Sequence, residues 1–210
     1  MFLGRGLAIY EREISVFRNK GLSGVVKDIY TRSFRISRTL LFEHPGEGAG
    51  LSREKVPAMV TLGGGESLVI NVISSADRQR FNNDIISAGG ESDLCYFRLN
   101  GVCYLVRLNG RPVALGWSFS RNRMLKLLGI MDGVYFGGFH VNEKYRGLGV
   151  YTALLRRMCL DVPFGLSIIV ETGLNNVASQ RGLQRAGFKL VNKLTLVIAF
   201  GVRVYQHQSR

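Results

Sequence analysis

The 210-residue sequence predicts a mixed α/β sheet, and three observations carry that expectation. β-rich and helical runs alternate from Asp132 to Tyr205, the pattern of a sheet with covering helices. Asn109-Gly110 stands between two β-rich runs, the strongest short-range hairpin signal. Hydrophobic residues make up 46% and charged residues 20%, with only 4 Pro. A chain of this kind can bury a sizeable core, which excludes wholesale disorder.

Taken in order, the first forty residues read as two helical segments. In Leu7 to Arg18, Ile9, Tyr10, Ile14 and Phe17 fall at helical spacing, and Lys20-Gly21 supplies a stop. Ser23 can cap a second segment from about Gly24 to Ser37, with Val25, Val26, Ile29, Tyr30 and Phe34 as its apolar stripe. Basic amphipathic helices of this kind either pack on a neighbouring domain or lie on an acidic membrane surface. Thr39 to Phe42, Met59 to Leu62 and Leu68 to Ile73 read as strands, with Gly63-Gly64-Gly65 as a turn. Ser75 or Asp77 caps a short helix through Ile86, which Ala88-Gly89-Gly90 ends. Val102 to Leu108 and Pro112 to Ser118 form the hairpin, and Asp132 to Val141 is a further strand. Gly137-Gly138 within that strand suggests a bulge or a place where a ligand comes close. A helix over Gly149 to Leu160, a strand over Leu166 to Val170, a helix over Val177 to Arg185 and β-rich material from Phe188 to Tyr205 complete the chain.

Charge is the first functional clue. Lys+Arg 28 against Asp+Glu 15 leave +13, and residues 111–210 hold 14 of the basic groups but only 4 of the acidic ones. Such a half implies an anionic partner: nucleic acid, an acidic membrane or a polyphosphate ligand. No apolar stretch approaches the ~18 residues of a membrane-spanning helix, and the first residues lack the features of a secretory signal. A cytoplasmic protein is therefore expected, peripheral at the inner membrane face if the N-terminal helices bind lipid. Cys95, Cys103 and Cys159 make no C-x-x-C, and His44, His140 and His207 are scattered. No metal site is expected, and all three thiols are expected to be buried and inert.

The segment Phe139 to Leu155 (FHVNEKYRGLGVYTALL) carries the chemistry. A strand ends near Val141, and Arg146-Gly147-Leu148-Gly149 leads through a polar turn into a helix. Glycines let backbone come close to a ligand. The first amides of a helix are unpaired and point at any anion placed there. Arg146 adds a full positive charge, so the turn is suited to phosphate without a metal.

This junction resembles the pyrophosphate loop of the GNAT superfamily of acyl-coenzyme A N-acyltransferases, whose pattern is Arg/Gln-x-x-Gly-x-Gly/Ala after a strand ending in Val. The match is Val141, then Arg146-x-x-Gly149-x-Tyr151. Tyr151 departs from the small residue usual in that place, and Lys144-x-x-Gly147-x-Gly149 is a second possible register. Asn176-Val-Ala-Ser179 followed by Arg185-Ala186-Gly187-Phe188 resembles the family's Asn-x-x-Ala/Ser…Gly-Phe element, about thirty residues on in the correct order. The resemblance covers roughly residues 95–200.

It implies a mixed, mostly antiparallel sheet flanked by helices over residues 39–210, with residues 1–38 as a basic helical extension. It also implies acetyl-coenzyme A or another acyl-coenzyme A as donor, with no metal. Phe139, Val141, Arg146, Gly147, Leu148, Gly149, Val150, Tyr151, Asn176 and Ser179 would bind that donor. A neutral amine would attack the thioester directly in a ternary complex, and amides of Gly137-Gly138-Phe139 would stabilise the oxyanion. Glu171 is the first candidate for the base that deprotonates the incoming ammonium. Tyr135 is the second, because strand alternation sets it on the face of Phe139 and Val141, with His140 on the opposite face. Many family members carry a proton-donating Tyr seven residues after the Asn, where this chain has Leu183, which cannot donate.

The strings Arg-Gly-Leu-Gly-Val-Tyr and Ser-Gln-Arg-Gly-Leu are similar to members linked to bacterial surface-polysaccharide synthesis, implying an amino-sugar acceptor. Other small amines, and an acyl carrier protein as donor, stay open. So do two other functions. Leu183 is compatible with a non-catalytic relative that binds acyl-coenzyme A, and the charge with a nucleic-acid-binding module. For the latter no recognition motif and no stacking pattern of aromatics accompanies the basic residues.

Overall fold

The computed structural model describes residues 34–45, 58–61, 67–120, 122, 125–126, 128–199 and 202–209. Nine strands and three α-helices are assigned among them. The strands are β1 (Phe34–Pro45), β2 (Ala58–Thr61), β3 (Ser67–Ile73), β4 (Val102–Leu108), β5 (Arg111–Phe119), β6 (Gly133–Val141), β7 (Ser167–Gly173), β8 (Lys189–Ala199) and β9 (Val202–Ser209). The helices are α1 (Arg78–Ser87), α2 (Val150–Leu160) and α3 (Val177–Arg185). The chain divides into two compact units, Leu40–Asn192 and a smaller one made of Met1–Thr39 with Lys193–Arg210. In the smaller unit, Lys193–Ala199 of β8 pairs antiparallel with Val202–Ser209.

Within the larger unit the order is β2-β3-β4-β5-β6-β7-β1-β8, a mixed sheet flanked by helices as expected. Pairing is antiparallel from β2 to β6 and parallel between β6 and β7. The β4–β5 hairpin turns at Asn109 (φ 50) and Gly110 (φ 76), the two positive-φ positions that match a tight turn to strand twist. The helices cover both faces. On one, Leu154, Leu155 and Met158 of α2 and Leu183 of α3 pack with Phe42, Ile70, Val106, Phe136 and Val170. On the other, Ile85 of α1 and Phe97 pack with Leu105, Leu115, Trp117 and Phe119. Phe97 belongs to a 3-10 segment, Glu91–Leu99, that no periodicity announced. It is held by its edge contact with Trp117, ring centroids 4.8 Å apart.

Two expectations need correction. Phe34 to Ser37, expected as the end of a helix, belong to β1: the alternation through Phe34 and Ile36 continues into the buried Leu40–Phe42 run and prevails over the helical stripe. The expected helix over 7–18 and the rest of the second, over 24–33, lie outside the described residues, as does the Gly63-Gly64-Gly65 turn. Cys103 and Cys159 are buried, but Cys95 is exposed, because it sits on the outer side of the 3-10 segment with its thiol donating to the Ser92 carbonyl at 3.3 Å. No helix among the described residues is long and apolar enough to cross a membrane.

Candidate active site

The site begins where β6 and β7 part. Their pairing runs from Gly133↔Ser167 to Phe136↔Val170 and stops, although β6 continues to Val141 and β7 to Gly173. On its other side, β6 meets β5 with a register shift: Ala114↔Val141 and Leu115↔His140 on one side of the break, Trp117↔Gly137 on the other. Two steps along β5 therefore oppose three along β6, which is a bulge at Gly138-Phe139. Gly138 has φ +60, and a Cβ on it would stand 2.8 Å from Trp117 Cδ1 and 3.2 Å from Asp93 Oδ2. Only glycine suits both conditions.

The bulge reverses which face the side chains take. Phe136, Phe139 and Val141 belong to the α2 face, whereas Tyr135 packs beside Trp117 and Phe119 on the α1 face. Tyr135 thus lies opposite Phe139 and Val141, contrary to the expectation from strict alternation: one inserted residue shifts the two-residue period by one step. His140 is opposite Phe139, as expected, and so shares its face with Tyr135.

The two acid–base candidates are in contact, the Tyr135 hydroxyl donating to Glu171 Oε1 at 3.0 Å. The pair lies at the point of divergence, one residue past the last Phe136↔Val170 rung on β7 and one before it on β6.

Beyond the divergence lies a cleft of about 1000 Å³. It is lined by the end of β6, the turn after it and the first turns of α2 and α3. Phe139, Val141, Arg146, Gly147, Gly149, Val150, Tyr151, Asn176 and Ser179 all line it. Leu148 does not; its side chain is exposed. Glu171 and Tyr135 are likewise outside the lining, on the neighbouring stretch of the two strands.

Local sequence explains the geometry of the turn before α2. Gly147 (φ 81) and Gly149 (φ 85) hold left-handed backbone, and Gly149 is the N-cap of α2. This turn aims the first amides of α2, which lack intrahelical partners, into the cleft mouth. Arg146 is 64% exposed and pairs with Glu143 Oε1 at 3.2 Å, while its Nε donates to the Val141 carbonyl at 3.3 Å. An exposed pair of that kind is worth little, so it orients the guanidinium without neutralising the turn. Lys144, Arg181 and Arg185 also line the cleft, against the single carboxylate of Glu143. Arg181 and Arg185 stand four apart on α3, a spacing that sets both on one helix face and that the basic C-terminal composition signalled only in bulk.

Asn176 caps α3, its Oδ1 accepting from the Ser179 amide at 3.1 Å. Its carboxamide nitrogen is not used in that cap. The Tyr151 ring stands edge-on to Phe139 at 5.1 Å, and its hydroxyl is 3.2 Å from Ser179 Oγ. Burial pushes this phenol up to about 12, partly offset by the Ser179 hydrogen bond, so it stays protonated at any ordinary pH. The bulky ring fits because its neighbour on α3 is Gly182, where a Cβ would stand 2.8 Å from Tyr151 Cε1. The large ring at 151 is thus matched by the absence of a side chain at 182. Gly182→Val is expected to cost about 1–3 kcal/mol by overpacking, measured as a lower midpoint in urea; an unchanged midpoint would mean that the ring yields freely.

One neighbour escaped the sequence reading. Asp93, buried, holds His140 Nε2 at 2.9 Å through Oδ2, and no spacing signal links residues 47 apart. Among the described residues no group of His, Cys, Asp and Glu is arranged to hold a metal ion.

No family model and no curated protein matches this sequence. Solved structures share its fold. A functionally unknown conserved protein from Staphylococcus epidermidis is similar at 12% identity and TM-score 0.51, covering 88% of this chain and 77% of that one. An uncharacterized protein from Bacillus halodurans is similar at 13% identity and TM-score 0.50, with 70% and 92% covered. A GNAT-family acetyltransferase from Colwellia psychrerythraea is also similar, at 19% identity and TM-score 0.47, with 84% of this chain covered. The present chain spans 57% of that protein's length. At these identities the likeness concerns the fold.

Proposed function

We propose that this chain is an acyl-coenzyme A N-acyltransferase that moves an acetyl or other acyl group onto the primary amine of a small molecule, with amino sugars as the acceptor class. The observation that carries this reading is the meeting, in one cleft, of a helix N-terminus entered through two left-handed glycines and the side chains of Lys144, Arg146, Arg181 and Arg185. That combination suits a ligand with several phosphates. The fold and the two sequence blocks at 141–151 and 176–188 agree with it.

The donor's diphosphate would rest on the amides from Gly147 to Tyr151, with Arg146 beside them. Its extended arm would pair with the backbone of Phe139 and Val141, beyond the last β6–β7 rung, as an added strand, facing Asn176 and Ser179. Its acyl end would then reach the bulge, where amides of Gly137-Gly138-Phe139 can stabilise charge on the carbonyl oxygen. Glu171, hydrogen-bonded by Tyr135, would take the proton that converts the acceptor's ammonium to the attacking amine. The two residues are on the α1 side, so the acceptor would approach from that face while the donor enters between β6 and β7.

A thiol-release screen with acetyl-coenzyme A against amino sugars, amino acids, polyamines and peptides tests the proposal. Release that depends on an amino sugar supports both the reaction and the acceptor class; release with another amine corrects the acceptor only. Leu183, fully buried on α3, favours the second reading, a non-catalytic binder. Tight donor binding with no thiol release across the panel would select it. For donor binding itself, Arg146→Glu is expected to weaken affinity by about 1.5–3 kcal/mol, the value of a charge-assisted hydrogen bond. Unchanged affinity in calorimetry would remove Arg146 from the diphosphate site.

A further inference from the structure

His140 and Asp93 form a pair that the roles above leave unused. Asp93 lies in the 3-10 segment Glu91–Leu99 and is only 5% exposed. A carboxylate buried to that degree needs partners. Its Oδ1 accepts from Ser92 Oγ at 3.2 Å, and its Oδ2 faces His140 Nε2 at 2.9 Å. A carboxylate at Nε2 favours the tautomer with the proton on that nitrogen, which leaves the lone pair on Nδ1.

Gly89, at φ +96, borders the imidazole, and a Cβ there would stand 3.5 Å from Nδ1. Gly89 itself puts no side chain over the nitrogen. The imidazole is 36% exposed, and His140 and Gly89 both line the cleft. Because of the bulge, His140 also shares its sheet face with Tyr135 and Glu171, the two groups lying on either side of Gly137-Gly138.

Chemistry supplies a task for a second proton-handling group. An ammonium nitrogen loses two protons on becoming an amide, one before attack and one after the new C–N bond has formed. The departing thiolate takes up one. Leu183 has no proton to give. Resting on the acyltransferase reading, we propose that His140, oriented by Asp93, carries the second proton from nitrogen to sulfur. Nδ1 accepts it from the nitrogen of the tetrahedral adduct. The imidazolium, held by the Asp93 carboxylate through Nε2, passes the proton to sulfur as the C–S bond breaks and its electron pair leaves with sulfur. The imidazole ends neutral, the products are an amide and a free thiol, and the first proton resides on Glu171 until solvent removes it.

The test uses the full chain and the amine that gives most thiol release, with donor affinity measured by calorimetry and folding by thermal melting. His140→Gln and His140→Ala are expected to lower kcat, measured at saturating donor, by about 100-fold. Added imidazole is expected to restore His140→Ala by at least about tenfold, a response that a purely structural histidine would not give. Asp93→Asn is expected to lose at least about tenfold in kcat through the wrong tautomer. Wild-type turnover in His140→Gln, or a lost rate in His140→Ala that ignores imidazole, overturns the proton-carrying role. A wild-type chain that binds donor but releases no thiol with any amine overturns the transferase reading itself, and the dyad's role with it.

Discussion

Glu171→Gln is expected to lower turnover by about 100-fold or more, the span typical of removing a positioned base, and to leave donor affinity within about twofold. Glutamine preserves the volume of the side chain, and its carbonyl oxygen can still accept from the Tyr135 hydroxyl, which reaches Glu171 at 3.0 Å in the wild type. What it loses is the capacity to take a proton. Glu171 does not line the cleft proposed for the donor, so donor binding has no reason to change. Steady-state thiol release across pH, with calorimetry for the donor, separates the two quantities. A variant with the wild-type rate and the wild-type pH profile would eliminate Glu171 as the base. Tyr135→Phe would then be the comparison, since it removes only the hydrogen bond donated to the carboxylate.

Gly138→Val is expected to destabilise the larger unit by several kcal/mol, enough to unfold many domains of ordinary stability. Two penalties combine. A β-branched residue at φ +60 is strained by about 1–3 kcal/mol, and its Cβ would meet Trp117 Cδ1 at 2.8 Å and Tyr96 Cε2 at 3.0 Å. Neither ring can yield easily: Trp117 is fully buried and stands edge-on to both Tyr96 and Phe97. Denaturant unfolding measures the loss. Gly138→Ala, with the same φ but a smaller clash, is expected to fall between the two. If the valine variant melts at the wild-type temperature, the bulge is not constrained as described. The proposed function would suffer as well, because the bulge determines which side chains of β6 face α1 and which face α2.

Much of the fold was legible because its signals are local. The Val177–Arg185 helix follows from an Asn that can cap it and a glycine that ends it, and its bounds match the expected ones. The β4–β5 hairpin follows from Asn109-Gly110, whose left-handed backbone the turn requires. The loop residues from Arg146 to Tyr151 were legible for the same reason: glycines at two fixed positions, a basic residue beside them and a helix after them. By contrast, Phe34 to Ser37 carried two overlapping periodicities, and the choice fell to the strand that continues into the buried Leu40–Phe42 run.

The sequence by itself determined the β4–β5 hairpin, the two-glycine turn before α2 and the extent of α3, because each depends on residues within a few positions of one another. Only the tertiary structure decided which side chains meet: Tyr135 with Glu171, His140 with Asp93, Tyr151 with Gly182. Those contacts span 36, 47 and about thirty residues, and one bulge of a single extra residue reversed a face that period-two alternation had assigned. A backbone irregularity leaves no mark on composition beyond a pair of glycines, yet it moves every side chain after it to the other side of the sheet.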